Sequence, residues 1–181
     1  AVTTAKITDA NITTAKIADD AVTTAKSTAG ITMVDQWRLT TNFTGDASPI
    51  ASNWERTDTS GWGNIGTGMT ESSGIFSFPS TGIWYVAFNF FANASTAQLY
   101  ATSSIEVTTN NSSYVASSYA DVSFYGGTSY NSSMSQYFVD VTDVANVKVR
   151  FVIDAVSTST NTLGNSNETQ TGMTFTRLGD T

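Results

Sequence analysis

Large apolar residues recur at every fifth position over the first 26 residues of the chain, which hold three copies of one ten-residue phrase. The copies read AVTTAK, NITTAK and AVTTAK, and they begin at residues 1, 11 and 21. The apolar positions are Val2, Ile7, Ile12, Ile17 and Val22. This spacing matches neither the helical period of about 3.6 nor the strand period of about 2. The phrase therefore predicts neither an ordinary helix nor a hairpin.

One apolar side chain in five is too few to build a core within a single chain. Three chains in register could direct these side chains at a shared axis, and the neighbouring alanines would allow close approach. The Thr pairs, with β-branched residues beside them, disfavour a long helix and favour an extended form. We therefore expect residues 1–30 to be the end of a three-chain stalk, with a flexible low-complexity linker as the alternative. Ser27 stands where the next apolar residue is due, which places the boundary near residue 30.

A different pattern begins at Trp37, where short β-branched and aromatic segments alternate with Gly, Asn and Ser. In GIFSFPSTGIWYVAFNFFA, residues 74–92, both alternating faces of the predicted strand are largely apolar. One face holds Trp84, Val86, Phe88 and Phe90. A strand that packs on one side only would show polar residues opposite the core. We therefore expect its second face to be covered by another sheet or another subunit.

Further strands follow along the chain, and no segment combines a helical period with a cap. In residues 146–155, Val147, Val149, Phe151 and Ile153 alternate with polar residues, as in a half-buried antiparallel strand. Many short strands with turn signals between them indicate a β-sandwich. The sequence therefore predicts an all-β antiparallel domain over residues 31–181. Its other predicted strands are 97–107, 115–124, 134–141, 146–153 and 172–178.

Three segments resemble the tumour-necrosis-factor and complement globular-head jelly-roll superfamily. GIFSFPSTGIWYVAF resembles its signature, in which a proline and a Gly-aromatic turn precede a strand of alternating aromatics. VTDVANVKVRF (141–151) resembles the penultimate strand pair, and TGMTFTRLG (171–179) resembles the closing strand, where Phe175 and Leu178 would be buried. The resemblance covers roughly residues 37–179. It implies a jelly-roll β-sandwich that associates as a homotrimer.

The N-terminal phrase resembles the decapeptide arrays in structural proteins of tailed bacteriophages, where trimeric fibres carry globular tips. This resemblance implies a virion protein that is assembled in the host cytoplasm and exposed extracellularly on the particle. The chain begins in mid-phrase at Ala1, without an initiating Met. We therefore expect attachment to the virion through residues N-terminal to Ala1.

Charge and composition argue against several classes of function. Residues 1–30 are neutral, so residues 31–181, with five cations and twelve acids, carry the whole net charge of -7. The scattered cations form no cluster that would follow a phosphate backbone, and no apolar run approaches the length of a membrane span. We therefore expect neither nucleic-acid binding nor membrane insertion.

The chain also lacks both His and Cys, which removes histidine-based triads, thiol nucleophiles and ordinary zinc sites. We expect no enzymatic activity, no cofactor and no metal site. The acidic residues show no spacing typical of a dedicated calcium loop, so solvated turns are the favoured interpretation.

Two segments are candidates for receptor binding. Residues 110–137 combine Tyr with Ser, Asn and Gly, the composition of adaptable binding loops, although tyrosines also pack at oligomer seams. Residues 53–68 place tryptophans among turn formers, where they would either stack on a sugar or cover the end of the sandwich. We expect binding in loops at the end of the trimer away from the stalk. The candidates are Trp54, Trp62, Tyr114, Tyr119, Tyr125 and Tyr130.

The sequence favours a homotrimeric fibre protein of a tailed bacteriophage that binds a host-surface receptor, with a glycan as the favoured class. One alternative is a capsid head-decoration or cement protein with no receptor role. A second alternative is a free trimeric carbohydrate-binding module.

Overall fold

The computed structural model describes Ile17, residues 30–155 and residues 157–181. The chain divides into two units, residues 1–30 and residues 31–181. The second unit is called the head. The predicted stalk positions Val2, Ile7, Ile12 and Val22 lie outside the described residues, so the stalk stays a prediction. Ile17 is described and its side chain is exposed.

The described residues contain twelve β-strands and no helix. In chain order the strands are β1 (Met33–Leu39), β2 (Phe43–Thr44), β3 (Trp54–Arg56), β4 (Thr70–Ser72), β5 (Ile75–Ser77), β6 (Gly82–Ala94), β7 (Gln98–Thr108), β8 (Val115–Phe124), β9 (Ser129–Val141), β10 (Lys148–Ala155), β11 (Thr160–Thr162) and β12 (Gly172–Gly179).

The strands of the described residues form two antiparallel sheets that pack face to face as a jelly-roll sandwich. The first sheet runs β3-β1-β12-β6-β9, and β11 and β2 extend it beside the end of β6. The second sheet runs β4-β5-β10-β7-β8. The all-β antiparallel jelly roll predicted for residues 31–181 is thus confirmed.

Strand β6 is the centre of the first sheet, and its two faces have different surroundings. Trp84, Val86, Phe88 and Phe90 are fully buried between the sheets, which confirms the predicted register. Aromatic rings from the second sheet meet them there, and the ring centroids of Phe88 and Phe151 are 4.8 Å apart. The opposite face of β6 lies on the outside of the sandwich, where no second layer of the described residues covers it.

Two details of the sequence prediction are wrong. Leu178, expected in the core with Phe175, is 43% exposed, whereas Phe175 is fully buried. The pairing of β12 with β6 shifts register between Arg177 and Gly179, so Leu178 stands at an irregularity outside the regular alternation that buries Phe175. In addition, β9 begins at Ser129 rather than at residue 134. Its Ser- and Asn-rich start has the composition of a loop, but it pairs in register with the apolar end of β6.

The sandwich has two ends. Ile31 leads into β1 at the proximal end, where the β7–β8 and β9–β10 connections meet through a hydrogen bond from Asn111 N to Asn146 O of 2.9 Å. The distal end carries the β6–β7, β8–β9 and β10–β11 connections. There the hydroxyls of Thr96 and Ser159 are 2.9 Å apart.

A buried carboxylate fixes the loop that follows β3. Asp35 on β1 is fully buried and accepts hydrogen bonds from Arg56 Nε at 2.9 Å, Trp37 Nε1 at 2.9 Å and the Met69 backbone N at 2.7 Å. Gly68, at φ +74°, passes so close that a Cβ there would lie 2.6 Å from Asp35 Oδ2. The β3–β4 loop is therefore held against the side of the first sheet.

Candidate functional site

The six receptor-binding candidates named from the sequence do not converge on one site. They lie in the core, on the proximal half of the head, on the outer faces of both sheets and at the distal end. Three of them stand on strands and three in connections between strands, and each location gives the side chain a different capacity to bind a ligand.

Trp54 is a packing residue at the edge of the core. Its Nε1 donates to the carbonyl oxygen of Ile50 at 2.8 Å, and its ring meets Phe76 and Phe151 edge-on at centroid distances of 6.0 and 6.4 Å. Of the two roles that the sequence left open, these contacts match the cover over the sandwich rather than the sugar platform.

Trp62 and Tyr114 lie away from the distal end. Trp62 is half-buried in the β3–β4 loop, which reaches the start of β1 through backbone hydrogen bonds between Ile65 and Val34. Tyr114 lies in the β7–β8 connection with Arg150 stacked 4.3 Å from its ring centroid. Partial burial raises the pKa of the Tyr114 hydroxyl, and the Arg150 charge offsets part of that rise. The Tyr114 ring is therefore partly covered by Arg150, and Trp62 stays a candidate on the proximal half of the head.

Tyr119 projects from the second sheet. It pairs in register with Ser104 of β7, and its side chain is 70% exposed on the outer face of that sheet. It is accessible, but it stands on a strand face rather than in a loop.

Tyr130 belongs to an exposed apolar face on the outside of the first sheet. Its ring packs against Phe91 at a centroid distance of 6.1 Å, and Phe138 packs in the same way against Tyr85 at 5.5 Å. Tyr130 and Phe138 are each 61% exposed. We call this surface the outer apolar face. Its apolar residues are Ile83, Tyr85, Ala87, Phe91, Tyr130, Met134, Phe138 and Leu178, and the polar side chains of Asn89 and Gln136 share the face with them.

The β1 side of the first sheet is covered by the chain itself. Arg38 is buried beneath the β3 region, where its guanidinium donates to the carboxylates of Glu55 and Asp58. Burial by itself lowers the pKa of Arg38, but the hydrogen bonds and charges of these two carboxylates outweigh it and raise that pKa. The outer apolar face is therefore confined to the part of the sheet formed by β12, β6 and β9.

The side of β9 away from β6 is next to β8. Within the described residues, β9 pairs only with β6 and β8 pairs only with β7, but the two strands lie side by side, and Asn131 Nδ2 on β9 donates to the carbonyl oxygen of Ser123 on β8 at 3.0 Å. Strand β9 is 13 residues long, has no proline and has Asp140 as its single charged residue. The surface of β9 that a further chain could cover is therefore its outer face, where Tyr130, Met134 and Phe138 are exposed.

Tyr125 is the candidate that lies at the distal end, beside a cleft of about 390 Å³. Its side chain is 82% exposed, and Leu99, which also lines the cleft, is 84% exposed. We call this feature the distal cleft. Its lining residues are Ala97, Gln98, Leu99, Ser123, Phe124 and Tyr125.

Hydrogen bonds hold both walls of the distal cleft. Ser123 Oγ donates to the carbonyl oxygen of Leu99 at 2.9 Å, and Ser129 Oγ donates to that of Tyr125 at 3.1 Å. Gln98 Nε2 donates to Ser159 Oγ at 2.8 Å, which ties in the β10–β11 connection. The chain turns from β8 to β9 at Gly127, whose φ of +81° suits glycine.

Sequence reasoning missed Leu99 and Gln98. The pairing of β7 with β8 shifts register between Gln98 and Ala101, and Leu99 is turned outward at this irregularity. Regular alternation would have assigned Leu99 to a sheet face, because the position of a bulge depends on the partner strand. The adjacent Leu99 and Tyr100 were the only local signal, since both cannot face the core of one regular strand.

The described residues contain no group of three or more Asp or Glu side chains placed to hold a metal ion. They also contain no helix of the length and apolarity required to cross a bilayer.

Comparisons with known proteins identify the fold. No protein-family model matches the sequence, and no curated protein matches it. Eiger TNF from S. frugiperda superposes with a TM-score of 0.62 at 12% identity, covering 82% of this chain and 94% of its own. Murine APRIL at pH 8.5 gives 0.58 at 13% identity, covering 81% and 98%, and at pH 5.0 it gives 0.59 at 12% identity with the same coverage. The head therefore has the jelly-roll fold of the tumour-necrosis-factor ligands.

Proposed function

We propose that this chain is a structural protein of a tailed-bacteriophage virion: the head and adjoining stalk of a homotrimeric fibre that binds a host-surface receptor at its distal end. The observation that carries the proposal is the outer apolar face, on which the aromatic rings of Tyr130 and Phe138 are exposed. A fibre head is built from identical chains that cover one another, and no layer of the described residues covers this face.

The energetics of the outer apolar face support association. Burying apolar surface contributes about 25 cal/mol per Å², so covering the exposed rings of Tyr130 and Phe138 would stabilise an assembly by several kcal/mol. The aromatic pairs on β6 and β9 are already packed against each other, which limits the side-chain entropy lost on association. The neighbours in fold are tumour-necrosis-factor ligands, and the resemblance to that superfamily implies a homotrimer.

The stalk repeat supports the fibre rather than a free head. Its five apolar positions need partner chains, and a threefold head would supply them in register. Three chains are expected for the stalk repeat and are implied for the head by the resemblance, so one trimer would account for both. The absence of His and Cys favours a binding or structural role over catalysis.

The location of the protein on the virion tests this proposal. Purified phage particles would be labelled with antibody raised against residues 37–181 and imaged by negative-stain electron microscopy. Label at the tips of tail-associated fibres is the expected result. Label over the capsid would assign the protein to head decoration, and particles without label would indicate a free carbohydrate-binding module.

A further inference from the structure

We propose that the distal cleft is a saccharide-binding site that takes an uncharged sugar, with Tyr125 as the stacking platform and Leu99 as a second apolar lining residue. This inference rests on the proposed receptor-binding function, because it names the ligand class and the residues of that function. It assigns a role to one of the six sequence candidates and adds residues that the sequence did not indicate.

The exposure of Tyr125 and Leu99 is the first argument. Two large apolar side chains that line one cleft are more than four-fifths exposed, and neither contributes to the core. Contiguous exposed apolar groups in a concavity mark binding sites more often than isolated ones do. At about 390 Å³ the cleft lies near the lower end of the usual range of small-molecule sites, roughly 300–1,000 Å³.

The chemistry of the lining is the second argument. None of the six lining residues carries a formal charge, so a charged ligand would lose hydration there without gaining a counter-charge. The net charge of -7 on the head further disfavours an acidic ligand. A neutral sugar ring has an apolar face suited to the Tyr125 ring and hydroxyls that can donate to Ser123 Oγ and Gln98 Oε1, the acceptor atoms of two side chains whose own donors are already used.

The bracing of the walls is the third argument. The backbone carbonyls of Leu99 and Tyr125 are each held by a serine hydroxyl, and Gln98 is held by Ser159. A site whose walls are fixed before binding loses less conformational entropy when a ligand enters. Weak affinity in each cleft would still suffice for attachment, because three copies in one trimer act together.

A glycan array tests the ligand class. The full-length protein would be applied to immobilised neutral oligosaccharides of glucose, galactose, mannose and N-acetylglucosamine, and to matched sialylated and uronic-acid oligosaccharides. We expect binding within the neutral set. The Tyr125→Ala variant should lose at least about tenfold in apparent affinity, whereas Tyr125→Phe should retain most of it because the ring remains. Tyr119→Ala is the matched control, since it removes an exposed Tyr outside the cleft.

Adsorption to host cells separates this inference from the proposed function. Periodate destroys the vicinal diols of surface saccharides, and protease removes surface proteins. Adsorption that is lost after periodate treatment and retained after protease treatment supports the saccharide site. Three outcomes would each overturn the saccharide site: adsorption that is sensitive to protease and resistant to periodate, acidic oligosaccharides as the sole ligands, or equal losses for Tyr125→Ala and Tyr119→Ala. Label at the fibre tips on the virion would still support the proposed function in each of these cases. Adsorption to no host surface at all would overturn the saccharide site together with the receptor role.

Discussion

The carboxylate of Asp35 joins three parts of the head, because its hydrogen-bond donors come from β1, β3 and the loop after β3. A buried carboxylate of this kind is tolerated only when donors satisfy it. Once it is removed, the Trp37 indole N–H and the Met69 backbone N–H lose their acceptor in a region closed to water. Arg56, which is about one-third exposed, can still reach solvent.

We predict that Asp35→Ala lowers the free energy of unfolding by about 3 kcal/mol, mainly through the two orphaned donors. Urea denaturation followed by tryptophan fluorescence would measure the loss. Asp121→Ala is the control, because the exposed Asp121 accepts a hydrogen bond from Thr102 alone, and its removal should cost less than about 1 kcal/mol. Equal losses for the two variants would show that the Asp35 network does not hold the loop.

Single residues also show what the sequence could and could not predict about the site. Tyr125 was predictable, because a glycine pair follows it and marks a turn between strands. Leu99 was not, because its outward position depends on an irregular pairing with β8. Tyr130 follows the same glycines by three residues, yet β9 begins before it and places it on the outer apolar face. Proximity to a turn in sequence therefore did not fix which tyrosine the loop presents.

At the scale of elements, periodicity predicted the strands whose faces differ most. Alternation in β6 and β10 fixed their registers, since every second residue is a large apolar one that only the core can bury. The start of β9 was missed because its composition is polar and its pairing with β6 is a tertiary contact. After this polar start, Met134 and Phe138 are exposed on the outer face of β9.

Strand β9 yields the second prediction: Phe138→Asp should convert the trimer to a monomer. A carboxylate at this position would have to be desolvated if a second chain covered the outer apolar face. The eight apolar residues of that face outnumber the five large apolar residues of each stalk segment, so we expect the head contacts to dominate association.

Multi-angle light scattering at micromolar concentration would report this change. The parent protein should give three times 19.2 kDa, and the variant should give 19.2 kDa with an unchanged far-ultraviolet circular dichroism spectrum. Tyr119→Asp places the same charge on the outer face of the second sheet and should remain trimeric. A monomeric parent protein would contradict the trimer itself, and a trimeric Phe138→Asp variant would show that the outer apolar face is not the interface.

At the scale of the whole molecule, the third prediction concerns the independence of the head. Residues 31–181 form a compact unit with its own hydrophobic core, so removal of residues 1–30 should leave the head folded, with a melting temperature within a few degrees of the parent. By contrast, Ile12→Asp combined with Ile17→Asp should open the stalk alone. Limited proteolysis with mass spectrometry would show cleavage confined to the first 30 residues. Cleavage within the sandwich of the double variant would place the domain boundary elsewhere.

The fourth prediction concerns what three heads achieve together. If each distal cleft binds a neutral sugar weakly, attachment to a sugar-coated surface depends on simultaneous engagement of several clefts, and avidity can exceed single-site affinity by about 10²–10⁴-fold. Phe138→Asp changes association without touching the distal cleft, so its monomer should bind such a surface weaker by a factor in this range.

Surface plasmon resonance on the neutral oligosaccharide identified by the array would measure this loss, and the affinity for the same sugar free in solution should be equal in trimer and monomer. That equality distinguishes lost avidity from a damaged cleft, because damage at Tyr125 would lower both affinities together. Full retention of surface binding by the monomer would mean that one cleft suffices. Trimerisation would then contribute to the architecture of the fibre and not to its affinity for the host surface.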